Sequence, residues 1–177
     1  MRYRYVGSAE IRDALQDAQS QYRIPRQSVS SSEDVRQWCN AQNVTQIQPT
    51  FTFVVDERGV LWIADRHSEH VACARGGLVR AAGEITFDLG AKVRVTEVTN
   101  QSTGYCPAPA SYAALAEALT RAAIEHPTAY TRNFDFRRCT ICGLLNVVKD
   151  EDWFCAACEA PLSARWNCDP EAAAESA

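Results

Sequence analysis

Four cysteines near the C-terminus are spaced for metal chemistry. Cys139-Thr140-Ile141-Cys142 and Cys155-Ala156-Ala157-Cys158 are two C-x2-C pairs, separated by residues 143–154. A two-residue gap lets both sulfurs of one turn face a single ion, and zinc accepts four thiolates in a tetrahedron. The separation suits a hairpin that returns the second turn to the first, slightly shorter than the usual ribbon gap of about 15 to 20 residues. Gly143, directly after the first pair, fits a tight knuckle because glycine accepts positive φ. Two coincidental pairs of buried or redox-active thiols would be the bland alternative, and the paired spacing makes it the poorer one. With Cys139, Cys142, Cys155 and Cys158 all on one ion, no position remains for water, so the expected Zn2+ is structural.

The remaining cysteines have weaker claims. Cys39 falls on a helical apolar stripe and reads as a small core residue. Cys73 and Cys106 lie beside polar motifs. Cys168, just past the ribbon, reads as an exposed free thiol, with a spare metal ligand as the lesser alternative.

Three polar stretches stand out elsewhere: Arg66-His67-Ser68-Glu69-His70, Gly76-Gly77 through Ala81-Ala82-Gly83-Glu84, and Asn100-Gln101-Ser102-Thr103-Gly104-Tyr105-Cys106-Pro107. Each falls at an expected strand end or loop, where sites sit on a rigid scaffold. His70, Glu84, Ser102 and Tyr105 are the candidate catalytic or pocket residues: His and Tyr can orient a polar ligand while Glu84 accepts its hydroxyls. Gly76 and Gly77 would let backbone approach that ligand or form a small anion nest, with Asn100 alongside. The structural reading stands beside this one at about equal weight for His70 and Tyr105. In it, His70 ends a strand, Asn100 and Ser102 make turns, and Gly83 marks a bulge.

His70 to Glu84 reads H-x5-G-G-x-V-x-A-A-G-E, and Ser102 to Pro107 is similar to an S-G-H-Y-x-P pattern. Together they resemble a module found in many bacterial proteins and effectors and in plant calmodulin-associated IQ-motif proteins. With the ribbon added, the chain resembles uncharacterised actinobacterial-type proteins. Gly104 stands where the module often has His, which removes a proton-transfer group from that position. The His–Tyr pair is also analogous to nicotinamide-ribose recognition in ADP-ribosyl-transferring enzymes.

The ribbon offers one more chemistry. Arg137 and Arg138 beside Trp153, Phe154 and Trp166 could clamp a single nucleic-acid strand by charge and stacking. Against this, the charges of 132–167 cancel, and the whole chain carries −4, without the basic footprint such binding needs.

The elements that must position these residues are read from periodicity. Tyr3–Val6 is an expected strand, and Ser8 starts a helix to about Ala18. Residues 20–30 read as a polar surface connection. Ser30/Glu33 or Ser31/Asp34 forms a capping box before the stripe Val35, Trp38, Cys39. Phe51–Val55 and Val60–Ala64 flank a hairpin turn, and Gly83–Leu89 and Lys92–Thr99 flank a second. Ser111 is the expected cap of a helix to about Ile124, and Tyr130–Phe136 leads into the ribbon. Hairpins among helices, without strict β-α-β alternation, indicate an α+β fold with a mainly antiparallel sheet, flanking helices and a small zinc ribbon. The expected organisation is an α+β domain over 1–130, the ribbon over 131–168, and a frayed tail over 169–177.

Composition is that of an ordinary globular chain, 46% hydrophobic and 23% charged. No apolar run predicts a membrane span, and no leader pattern opens the chain. A reducing cytoplasm is therefore the expected compartment, where cysteines serve metal binding more than disulfides. Nucleotide-loop, nucleophile-elbow and H-E-x-x-H motifs do not occur. The expectation is a zinc-binding cytoplasmic protein of the binding or adaptor type, contacting a protein partner or a small polar ligand. An enzyme acting on a nucleotide or ADP-ribose-like substrate is the alternative, and a weak single-strand nucleic-acid binder the second.

Overall fold

The computed structural model describes residues 1–16 and 24–169. Its elements are α1 (Ala9–Gln16), β1 (Arg26–Val29), α2 (Ser32–Ala41), β2 (Thr50–Asp56), β3 (Leu61–Asp65), α3 (His70–Cys73), β4 (Val79–Asp88), β5 (Arg94–Val98), α4 (Tyr112–Arg121), β6 (Asp135–Arg138) and β7 (Leu145–Val148). The Ala18 end of the first expected helix, and the tail beyond Asp169, lie outside the described residues.

Strands β1 to β5 form one antiparallel sheet in the order β1-β3-β2-β4-β5, and β6 and β7 pair separately. The β2–β3 hairpin forms where Asp56-Glu57-Arg58-Gly59 predicts it. The Asp56 carboxylate accepts the amides of Arg58 and Val60, and Gly59 takes a φ of 81°. The α+β class with a mainly antiparallel sheet follows directly.

Alternation along β2 gives the sheet two buried faces. Phe51, Phe53 and Val55 point to one side, where they pack with Val35, Trp38 and Cys39 of α2 and Leu115 and Leu119 of α4. Val54 points to the other side, into a cluster of Tyr3, Tyr5, Val71, Cys73, Val79, Ala82 and Tyr105. The first face was legible from helical stripes. The second is assembled from irregular segments, so no periodicity announces it.

Three local expectations change. The polar stretch 20–30 contains β1, an edge strand on β3; an edge tolerates polar residues because one of its sides is unpaired. Tyr3–Val6 makes only an isolated bridge, Tyr3 to Val79, before Val6 turns to the Gly104 carbonyl. Ser111 does not cap α4, because it already has helical backbone in a 3-10 turn from Pro109, and its hydroxyl bonds Tyr130 instead. Ser31 and Asp34 do form the full capping box of α2.

Candidate metal centre and the polar motifs

The ribbon begins as a hairpin whose ends are shaped for knuckles. β6 and β7 pair in register from Asp135 with Val148 to Arg138 with Leu145. A tight turn follows, with Asp150 and Glu151 both at positive φ and the Asp152 amide on the Lys149 carbonyl at 2.9 Å. That reversal brings the second C-x2-C back to the first. The two knuckles share one hydrogen-bond plan. In the first, the Cys139 amide donates to Leu144 and the Gly143 amide to the Cys139 carbonyl; in the second, Cys155 donates to Ala160 and Glu159 to the Cys155 carbonyl.

The four sulfurs converge. All lie within 4.8 Å of one another, with Cys139–Cys158 at 3.6 Å and Cys142–Cys155 at 3.5 Å. A tetrahedron with metal–sulfur bonds of about 2.3 Å has edges of about 3.8 Å, so the donor set fits a single ion of zinc's size and ligand taste. The surroundings favour thiolate at Cys139 and Cys155; at Cys142 and Cys158 the backbone amides of Leu144 and Ala160 also favour it, but the neighbouring sulfurs and burial outweigh them and raise both thiols. The Ile141 amide reaches the Cys139 sulfur at 3.4 Å, and the Asn146 side-chain amide reaches that of Cys155 at 3.7 Å. The backbone N–H of Ala157 leads in bringing Cys155 down to about 6, and that of Cys142 leads in lowering Cys139. The cluster could therefore hold a metal ion.

Asn146 is the supporting residue that spacing rules passed over. It is buried in β7, and it ties both knuckles together: its amide donates to Leu144 of the first and its carbonyl accepts from Ala156 of the second. A polar residue inside Leu145-Asn146-Val147-Val148 was the available signal.

A strap over 163–168 fastens the ribbon to the main sheet. Asn167 grips the Arg138 backbone in both directions, at 2.9 and 2.8 Å. Trp166 donates to the Cys106 carbonyl at 2.7 Å and meets the Tyr3 ring edge-on at 5.5 Å. Arg137 is buried and donates to the carbonyls of Ser163, Ala164 and Phe136, with its guanidinium over the Trp153 ring. Arg138 donates to Cys168 and Gly143. Arg137, Arg138 and Trp166, expected to grip a nucleic-acid strand, are thus internal ties, because a short ribbon with little core needs its cations to satisfy backbone carbonyls; Phe154, of the same expected set, is exposed. Cys168, expected at the surface, is fully buried against Cys106 and Phe136.

No protein-family model matches the chain, and no curated protein or solved structure matches it either.

The polar motifs of the main domain are placed on backbone partners. Tyr105 is fully buried, and its hydroxyl donates to the Gly77 carbonyl at 2.7 Å. Burial raises its pKa strongly, so it is held as a neutral donor. His70 opens α3, and its Nε2 lies 3.0 Å from the Gly83 carbonyl. Burial pushes its pKa down, and the bond to Gly83 offsets only part of that. The buried Ser102 hydroxyl accepts the Tyr105 amide, in a turn closed by Cys106 onto the Ser102 carbonyl. Glu84 makes a 3.9 Å contact with Arg66. These bonds tie the three motifs to one another, through the backbone carbonyls of Gly77 and Gly83 and the Arg66–Glu84 contact.

The residues expected near a ligand behave similarly. Gly76 has a φ of 75° and its amide returns to Val71, while Gly77 returns to Ala74; the pair ends α3, which leaves no free amides for an anion nest. Asn100 is fully buried, donating to Pro107 and Phe134 and accepting from the Phe134 amide. Gly83 is the point of closest approach: a Cβ there would lie 1.9 Å from the Thr99 carbonyl oxygen. A cleft of about 570 Å³ does open beside these motifs, lined by Glu10, Ile11, Asp65, His67, Glu69 and Ala72 among others.

Proposed function

We propose that the chain is a bacterial, cytoplasmic zinc protein of the binding or adaptor type, with a structural Zn2+ on Cys139, Cys142, Cys155 and Cys158. The convergence of four sulfurs at tetrahedral spacing carries this reading. With every position taken by sulfur, the ion organises the ribbon and leaves substrate chemistry elsewhere. Ile141, in the first knuckle, is 76% exposed, and Phe154, beside the second, is 59% exposed. Large apolar side chains held outward by a rigid ribbon are contact groups for a protein partner. The resemblance of the His70–Glu84 and Ser102–Pro107 motifs to bacterial modules agrees with the proposed setting. No helix among the described residues is long and apolar enough to cross a membrane.

Elemental analysis of the purified chain tests the metal, with about one zinc per chain expected from a single four-thiolate site. No bound metal would end the reading. The adaptor role is tested by co-purification: Ile141→Ser with Phe154→Ser should lose a specific partner while keeping its zinc. A partner retained by that double variant would remove the ribbon from the interface.

The enzyme alternative has less support, since His70, Ser102 and Tyr105 already bond to backbone groups. A small-ligand reading is favoured instead by the 570 Å³ cleft, whose lining joins Glu10, Asp65 and Glu69 with Ile11 and Ala72 and so suits a compact ligand with a cationic group. Thermal-shift screening with small organic amines tests it, a rise in melting temperature being expected. No shift with any amine would dismiss it.

A further inference from the structure

We propose that Cys106 and Cys168 are a reversible thiol–disulfide pair that locks the ribbon strap onto the main domain. The two side chains lie in one buried cluster with Phe136, at 1% and 0% exposure. They come from opposite sides of the junction: Cys106 from the loop after β5, Cys168 from the end of the strap. Both are held from their backbones. The Cys106 carbonyl accepts Trp166, the Cys168 carbonyl accepts Arg138, and Asn167 clasps Arg138 beside it. Both backbones are thus anchored around the shared cluster by contacts that do not involve sulfur.

The two sulfurs are also unequal. Proximity to the Cys106 side chain, aided by the guanidinium charges of Arg137 and Arg138, holds the Cys168 thiol below its ordinary range. Cys106 is pushed the other way by its Cys168 neighbour and by burial, and its thiol donates to the Thr103 carbonyl at 3.2 Å. An attacking thiolate next to a resolving thiol is the arrangement that thiol oxidation uses.

A hydroperoxide is the oxidant class that suits so closed a site, because bulky disulfide reagents cannot reach the sulfurs. The Cys168 thiolate attacks the peroxide oxygen, the O–O bond breaks, and water or an alcohol leaves with a proton. Cys106 sulfur then attacks the resulting sulfenic acid; the S–S bond forms, the S–O bond breaks, and water leaves carrying the Cys106 proton. Two thiols lose two electrons in total and one peroxide bond gains them. A dithiol reductant returns both thiols. In a reducing compartment a disulfide of this kind is transient and reports oxidant.

The test treats the purified, metal-loaded full chain with stoichiometric hydrogen peroxide, then alkylates it under denaturing conditions, maps its peptides and assays released metal. The expected result is one cross-linked species joining Cys106 to Cys168, the loss of two of the eight thiols, retained metal, and reversal by dithiothreitol. Cys106 and Cys168 both fully alkylated after peroxide, or cross-links confined to the ribbon cysteines with metal release, would overturn the proposal. Limited proteolysis addresses the lock itself: cleavage between β7 and the strap should slow on oxidation of the same preparation. Equal rates in the two states would overturn the locking role.

Discussion

Gly143 and Glu159 occupy the same position in the two knuckles, and both take positive φ, 77° and 57°. Each amide closes its knuckle on the carbonyl of the first cysteine at 2.9 Å. Only one of them is glycine, so the second knuckle carries backbone strain that the first avoids. Gly143→Ala meets no atom within 4 Å at its new Cβ, so its cost is conformational alone, about 1 kcal/mol. Glu159→Gly should stabilise the ribbon by about 0.5 kcal/mol, strain relief being partly offset by chain entropy. Chemical unfolding of the metal-loaded protein measures both, and two neutral substitutions would refute the equivalence.

Asn146 joins the knuckles through Leu144 and Ala156 while its amide faces the Cys155 sulfur. Outer partners of this kind orient the ligands. Asn146→Ala should weaken metal binding about 10- to 100-fold. Competition with a chromophoric chelator reads this out, and an unchanged affinity would make Asn146 a packing residue only.

Chelation should unfold the ribbon and spare the main sheet. The clusters on the two sheet faces are apolar and separate from the small one around Cys139, Cys155 and Leu162, which has little to hold it without metal. Trp153 emission should change on chelation while far-UV signal from the five-stranded sheet persists. A ribbon that keeps the half-buried Trp153 under Arg137 after metal removal would contradict the structural role.

The ribbon, the hairpins and α2 were legible because each depends on local chemistry: C-x2-C spacing, turn residues, and the Ser31/Asp34 box before Val35 and Trp38. The second sheet face was not, since Tyr3, Tyr5 and Tyr105 come from segments without period and meet only in three dimensions. The polar motifs show the same limit. His70, Asn100 and Tyr105 look like ligand groups in sequence, but each has a backbone partner distant along the chain (Gly83, Phe134 and Gly77), and distant partners leave no spacing signal. Cys168 was misplaced for that reason: it ends a polar segment, yet the strap folds it under Trp166.

Gly83 tests the close approach of β4 to the chain after β5. An added Cβ would meet the Thr99 carbonyl oxygen at 1.9 Å and its carbon at 2.8 Å, both backbone atoms that cannot rotate away. Gly83→Ala should therefore cost at least about 3 kcal/mol, at the upper end of overpacking penalties. Thermal unfolding measures it, and a loss below about 1 kcal/mol would mean that the sheet edge yields easily.

His70 should give the fold a pH dependence of its own. Its ring is half-buried with Nε2 on the Gly83 carbonyl, and burial lowers its pKa from 6.5. Between that lowered value and 6.5 the unfolded chain binds the proton more readily than the folded one, so stability rises with pH across the window. The contribution is complete above 6.5 and is lost as pH falls from there toward the folded value. Urea unfolding between about pH 7.5 and about pH 5 should show a loss in the wild type that is smaller in His70→Gln, which cannot take up the proton. His70→Gln will have its own cost at every pH, so the decisive quantity is the difference in slope. Parallel pH profiles for the two proteins would mean that the ring charges without penalty, and that its bond to Gly83 is made in open solvent.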